Sequence, residues 1–208
     1  MNESTVVRSL HDIGLASWFG GSLMGAVGLN GAASDHQDTT KRTTTAADGW
    51  ARWAPVAAVS IGAHVVGGAG LLFANRNRVK RQAGVGKNTA VKLAVTGLAM
   101  GTTAYSGVLG AKLAKAGEVP SDGPTSPSSA TPTGIASIQR QMKYLAWATP
   151  MLTGALVVLS ADQGERQRPI SQLHGFVNSI KGNLPNPSDL KDSLPSVTSL
   201  KDALHGIG

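Results

Sequence analysis

Apolar residues in this chain are concentrated in stretches that carry no charged side chain. Reading between Asp, Glu, Lys and Arg gives four uncharged runs, at 13–34, 53–75, 93–111 and 144–161. At about 1.5 Å per helical residue these runs would be roughly 27 to 35 Å long, which matches a hydrocarbon core of about 30 Å. The pattern therefore predicts an all-α fold, a bundle of four transmembrane helices.

Two alternatives compete with this interpretation. A soluble helical protein needs a polar stripe along each helix, and residues 57–66 in the second run have no charged face. A cleaved signal peptide would account for the first run, because Gly31, Ala32 and Ala33 resemble a small-x-small processing site. The first run exceeds the length of about 7 to 15 residues usual for the hydrophobic region of a signal peptide, so we expect it to be retained.

The distribution of Lys and Arg predicts the orientation in the membrane. The segment between the second and third runs holds cations and no acid, which predicts a cytoplasmic loop and places both termini in the cytoplasm. The connection at 120–129, rich in Pro, Ser and Thr, is predicted to be a solvated, disordered loop on the outer side. The inner cations expected against lipid headgroups are Arg76, Arg78, Lys80, Arg81 and Lys87.

Three parts follow from this topology. Residues 1–12 form a cytoplasmic N-terminus, residues 13–161 the four-span membrane domain, and residues 162–208 a cytoplasmic tail. Apolar residues at helical spacing between 173 and 180 indicate an amphipathic segment, and ten-residue near-repeats follow it. Prolines interrupt those repeats, so the tail is interpreted as a partner-binding segment, a tether or a disordered terminus.

Composition narrows the possible chemistry. The chain has no Cys, which excludes disulfides, Cys-ligated zinc or iron–sulfur sites and a thiol nucleophile. Its formal net charge of +7 and pI near 10.0 would be compatible with binding to nucleic acid. However, the basic cluster is explained by topology and no aromatic platform accompanies it, so we expect no nucleic-acid partner.

Small residues recur at spacings of three and four in the uncharged runs. Such stripes let membrane helices approach closely, so they predict contacts within the bundle or with another membrane protein. Pro150 is expected to kink the fourth span or break its first turn. The predicted packing residues are Gly14, Ser17, Gly21, Gly25 and Gly28 in the first run and Gly97, Gly101 and Gly107 in the third.

Ionisable residues inside a membrane usually mark a functional site, and the runs hold only one, His64. Three roles remain open: a neutral histidine bonded to a neighbouring helix, which is favoured, a polar contact with a partner or a quinone-like ligand, or a metal or haem ligand. His11, the nearest candidate for a second haem ligand, is expected at the cytoplasmic boundary and His64 at mid-depth. Ser60 and Tyr105 are candidate polar contacts, and no catalytic residue, metal site or cofactor is predicted.

The first run opens with Leu10-His11-Asp12-Ile13-Gly14-Leu15-Ala16-Ser17-Trp18-Phe19-Gly20-Gly21. This segment and the Gly/Ala/Val-rich spans resemble small four-span membrane proteins of high-GC actinobacteria, over residues 10–162. The resemblance implies a plasma-membrane protein, and some members of that group are accessory subunits of respiratory complexes.

Two functional hypotheses follow. The first is a non-enzymatic accessory, assembly or stabilising subunit that packs against other membrane subunits or against itself. The alternative is a small-molecule, quinone or haem carrier that uses His64. In that case Thr96, Thr102, Thr103 and Tyr105 would face an internal cavity.

Overall fold

A computed structural model describes the backbone of residues 3–74 and 85–183 and the side chains of residues 5–74 and 88–162. The chain divides into two compact units, Met1–Ala161 and Asp162–Gly208. The described part is mainly α-helical, as predicted from the sequence. Its elements are α1 (Glu3–Met24), a π-helical segment (Gly25–Leu29), α2 (Asn30–Ser34), α3 (Arg42–Ala74), α4 (Val85–Ala116), β1 (Ser121–Gly123), β2 (Ser126–Pro127) and α5 (Thr133–Asn183).

Helices α1 and α3 run antiparallel in close contact. A Cβ atom built on Gly14 would lie 2.5 Å from the backbone nitrogen of His64, so only glycine fits there without a shift. Towards the other end of the pair, the rings of Trp53 and Trp50 occupy the spaces beside Gly21 and Gly25. The glycines thus bring the two backbones together at one end and accommodate large aromatic side chains at the other.

The contact is reciprocal, because α3 also supplies glycines to α1. Gly67 lies against the backbone of His11, and Leu29 of the π-helical segment fills the space beside Gly49. Close van der Waals packing of this kind is the main source of helix association where no water is present.

Helices α4 and α5 join this pair through buried side chains. Trp18, which is 1% exposed, donates from Nε1 to Oγ1 of Thr103 on α4 at 3.2 Å. Thr149 on α5 donates to the hydroxyl of Thr102 at 3.2 Å, and Phe19 lies beside Gly154. Side chains of α1 thus contact both α4 and α5, and α4 and α5 contact each other.

The connection between α4 and α5 is folded, contrary to the predicted disorder. Gly117, with φ of +70°, follows the end of α4 in the left-handed conformation that glycine adopts most easily. Strands β1 and β2 then pair antiparallel in a small hairpin, and Ser121 is fully buried. Polar composition predicted disorder, but the hairpin is held by hydrogen bonds to α3 and α5 that composition does not reveal.

Helix boundaries also differ from the predicted spans. The run at 13–34 is divided among α1, the π-helical segment and α2. Helix α5 begins at Thr133, well before 144, so Pro150 lies in its interior and does not break a first turn. By length and hydropathy, two helical stretches within the described residues could cross a membrane, Arg42–Ala74 and Thr133–Asp162.

Both of these helices expose much of their apolar surface. Only 22% of the most apolar window in each helix is buried, whereas the core helix of a soluble protein would be mostly buried. Val59, Phe73, Tyr144 and Met151 are each at least 70% exposed. Extended apolar surfaces of this kind are rare in soluble monomers and common at membrane or protein interfaces.

The α1–α3 contact predicts a strong asymmetry between two adjacent glycines. A Gly21→Ala change places a methyl group into the ring of Trp53, and we expect it to lower the free energy of unfolding by about 1–3 kcal/mol. Gly20 has no atom within 4 Å of the corresponding position. Gly20→Ala should therefore leave stability unchanged or raise it by up to about 1 kcal/mol, since alanine favours helix.

Unfolding of both variants in detergent, followed by circular dichroism, measures this difference. Equal stability of the Gly20→Ala and Gly21→Ala proteins would show that the α1–α3 contact is not as close as described.

Candidate functional site

A cavity of about 290 Å³ lies among α1, α3, α4 and α5. Most of its lining is Ala, Gly and aromatic ring, including Trp18, Trp50 and Trp53. Pro124 and Thr125, at the turn of the hairpin, border it as well. The cavity is thus an apolar space between the helices that reaches the hairpin.

The hydroxyl groups in its wall differ in their hydrogen bonding. Ser22 donates to the carbonyl oxygen of Phe19 at 3.0 Å, and Thr103 donates to that of Ala99 at 2.9 Å. Ser106 Oγ is buried and has no hydrogen-bond partner among the described residues. An unpaired buried hydroxyl costs roughly 1–3 kcal/mol, and the burial of Ser106 Oγ separates this atom from the open space of the cavity.

A buried polar cluster fixes the hairpin beside the cavity. Gln139 on α5 is fully buried, and its Nε2 donates to the hydroxyls of Thr43 at 3.0 Å and Ser121 at 2.9 Å. The hydroxyls of Thr43 and Ser121 also bond to each other at 3.1 Å. The Gln139 Oε1 atom has no partner within the described residues. Arg42 adds bonds to the carbonyl oxygens of Ser121 and Asp122.

His64 lies in a different place from the one expected. Its ring is 4% exposed and packs against the ring of His11 with centroids 4.3 Å apart. His64 Nδ1 is 3.2 Å from the carbonyl oxygen of His11. The expected separation of the two histidines in depth is wrong, because the α1–α3 register sets them side by side.

Neither His64 nor Tyr105 belongs to the described lining of the cavity. Ser60, next to His64 on α3, donates to the carbonyl oxygen of Val56 at 2.8 Å. Tyr105 is 48% exposed and donates to Gln141 Oε1 at 2.6 Å. Of Thr96, Thr102, Thr103 and Tyr105, which were expected to face a cavity with His64, Thr103 alone is in the described lining.

The acidic loop between α2 and α3 is organised around Asp38. Both the hydroxyl and the backbone N–H of Thr40 donate to Asp38 Oδ1, and these bonds lower the pKa of its carboxyl group. Lys41 lies 3.8 Å from the same carboxylate. In the described part of the chain, no group of three or more His, Asp or Glu side chains is arranged to hold a metal ion.

The predicted packing residues differ in what covers them. Gly14, Gly21 and Gly25 face α3, whereas Gly97 and Gly101 on α4 are exposed, with no atom within 4 Å of where a Cβ would lie. The three remaining predicted packing residues have other surroundings. Gly107 borders the cavity, Gly28 borders a second depression beside the π-helical segment, and Ser17 is half-buried on α1.

The predicted lipid-contacting cations lie largely outside the described residues. Arg76, Arg78, Lys80 and Arg81 fall in the segment between α3 and α4 that the structure does not describe. The backbone of Lys87 is helical, but its side chain is not among those described. Of the tail, the segment at 173–180 falls within α5, while the near-repeats from 184 onward are outside the described residues.

Sequence reasoning missed Ser106 and the Thr43–Ser121–Gln139 cluster. Ser106 sits in an uncharged run rich in small residues, where nothing in the local pattern sets it apart. The charge pattern places Gln139 in a loop because it does not reveal the start of α5. Thr131 and Pro132, immediately before this helix, are the signal that could have located its first turn.

No protein-family model matches the chain, and no curated protein or solved structure gives a significant match.

The buried polar cluster predicts that Thr43 stabilises the hairpin. Thr43→Val keeps the shape of the side chain but removes the hydroxyl that bonds Gln139 and Ser121. We expect a loss of about 1–2 kcal/mol in stability and faster amide exchange across residues 119–127, measured by hydrogen–deuterium exchange mass spectrometry. Thr45→Val, at an exposed position of the same helix, is the matched control. Equal exchange in the two variants would contradict the assigned role.

Proposed function

We propose that the chain is a four-span integral membrane protein that acts as a non-enzymatic accessory subunit of a larger membrane complex. Membrane embedding is supported by the exposed apolar surfaces of α3 and α5 and by the uncharged runs within α1 and α4. These surfaces would be unfavourable in water, and a bilayer removes that cost.

The proposed topology has both termini in the cytoplasm. It is supported by the excess of Lys and Arg between α3 and α4, which is typical of cytoplasmic loops. In this orientation the hairpin and the loop around Asp38 lie on the outer side of the plasma membrane. The tail beyond Asp162 is then available to a cytoplasmic partner.

The observation that carries the accessory role is the open glycine face of α4. Gly97 and Gly101 lie on the side of α4 opposite the buried Ala99 and Leu113. The comparable glycines of α1 are already covered by α3, whereas these two are open. Exposed Leu98 beside them adds apolar surface.

A helix of another membrane protein is the partner that such a surface favours. Glycines four residues apart allow a second helix to approach closely, so that van der Waals contacts and weak Cα–H···O bonds stabilise the pair. Facing lipid, the same glycines contribute little packing. In the described part of the chain, no His, Asp or Glu cluster for metal chemistry competes with this interpretation.

Cross-linking in native membranes tests this interface, because the chain has no Cys of its own. A Gly101→Cys protein labelled with a benzophenone maleimide and irradiated is expected to give one discrete cross-linked product, because the photoactivated ketone inserts into C–H bonds of whatever helix lies against it. Gly62→Cys is the matched control, since Gly62 is also an exposed helix glycine without a neighbour within 4 Å.

Mass spectrometry of the product identifies the partner. A different membrane protein supports the accessory role, whereas a product of twice the 21.2 kDa chain mass shows association with a second copy instead. If Gly101→Cys and Gly62→Cys give the same products or none, the interface is wrong.

The topology has a separate test. A membrane-impermeant maleimide should label Ser129→Cys in intact cells, because the proposal places this exposed residue outside. It should label Thr5→Cys only after the membrane is permeabilised. Labelling of Thr5→Cys in intact cells would reverse the proposed orientation.

A further inference from the structure

The two histidines between α1 and α3 are stacked on each other in a largely buried contact. His64 is 4% exposed, and its ring centroid lies 4.3 Å from that of His11, with the two rings tilted by 38°. The side chain of His11 is 14% exposed, and that of the neighbouring Asp12 is 56% exposed. One ring is therefore enclosed between the helices, while the other lies at the edge of the contact.

Hydrogen bonds fix which nitrogen of each ring carries the hydrogen. A carbonyl oxygen can only accept, so His64 donates from Nδ1 to the carbonyl oxygen of His11 at 3.2 Å. An ionised carboxylate also only accepts, so His11 donates from Nδ1 to Asp12 Oδ1 at 2.8 Å. Each ring is thus neutral with an unprotonated Nε2, and a further proton on either Nε2 makes that ring a cation.

The packed contact accommodates one additional proton better than two. A positive charge on His11 is offset by the carboxylate of Asp12 beside it. A positive charge on His64 would be buried away from water, which is costly, and would lie against a second cation if His11 were also protonated. Among the described residues, the charged and titratable groups that act on His64 are His11 and Asp12 from α1 and Lys92 from α4. Lys92 adds a further positive charge.

The backbones on both sides of the rings leave little room for this repulsion to relax. Gly67 lies against the backbone of His11, and Gly14 lies against the backbone of His64. The helices are therefore already in contact around the histidine pair. Two cationic rings can move well apart only if this end of the helix pair opens.

We propose that the His11–His64 stack is an acid-sensitive contact, in which protonation of both rings opens the end of the α1–α3 pair where Val7 lies over Gly70. In the open state both rings titrate near the ordinary histidine pKa of about 6.5. Because the open state then binds one more proton than the packed state, acid favours opening. The ratio of open to packed molecules should rise by up to about tenfold for each pH unit below about 6.5.

The contact does not depend on the partner proposed above. If the chain has the proposed topology, this end of the helix pair faces the cytoplasm, and the signal is cytoplasmic acidification. Opening would also uncover Gly67 and Gly70, which α1 covers in the packed state.

Distances between spin labels measure the opening directly, because the chain has no Cys of its own. Labels on Val6→Cys and Leu72→Cys, both exposed near the histidine end, report on this contact. Labels on Met24→Cys and Ala51→Cys, both exposed near the tryptophan end, form the control pair. Double electron–electron resonance is recorded for the full-length protein in nanodiscs at a pH of about 7.5 and of about 5.0.

A second, longer distance is expected at the lower pH for the first pair of labels, with no change for the control pair. Its population relative to the short distance should rise by up to about 30-fold over this pH interval. His64→Asn retains an amide donor for the carbonyl oxygen of His11 but cannot become a cation, so it should abolish the longer distance. His11→Gln should abolish it as well. His36→Gln, at an exposed histidine of the loop before α3, should retain the native response.

Other outcomes overturn the proposal. Equal distances at both pH values in the native background would show that the contact does not open in acid. Persistence of the longer distance in His64→Asn or in His11→Gln would show that repulsion between the two rings is not the cause. A parallel change in the control pair would indicate general loss of packing. Circular dichroism at the higher pH establishes that each variant is folded, and if His64→Asn is not, His11→Gln at the edge of the contact decides the result.

Discussion

The close contact between α1 and α3 is the interaction on which the rest of the first unit depends. Gly14 and Gly67 let the two backbones approach, and this register places Trp53 and Trp50 beside Gly21 and Gly25. The same packing buries Trp18, whose indole N–H then reaches α4. Aromatic residues make up only 4% of the chain, and the protein obtains its packing from backbone proximity together with a few tryptophan rings placed beside glycines.

Hydrogen bonds from hydroxyl and amide groups stabilise the contacts that the glycines do not make. Thr102 and Thr149 connect α4 to α5, and Gln139 ties α5 to α3 and to the hairpin. Away from water such bonds are costly to leave unmade, so they specify which helices and loops meet. The hairpin is ordered for this reason, although its Pro, Ser and Thr composition alone would predict a mobile loop.

Small residues have two opposite consequences in this fold. Where glycine faces an aromatic ring or a helix backbone, as in the α1–α3 pair, the contact is tight. Where glycine and alanine of α3 and α4 line the space beside Trp18, Trp50 and Trp53, a cavity remains. On the far side of α4, Gly97 and Gly101 stay uncovered. One compositional bias thus provides the closely packed helix pair, the cavity and the proposed docking face.

The sequence by itself determined the helical class and the position of the uncharged segments, because these depend on local composition and on helix length. The sequence also identified the glycine stripes of α1 and α4. It could not show that α3 covers the glycines of α1, whereas Gly97 and Gly101 of α4 stay exposed. The pairing of His64 with His11 and the bonds of Gln139 to Thr43 and Ser121 were set by tertiary structure. Each depends on the register between helices distant in sequence, and spacing within one helix carries no information about register against another.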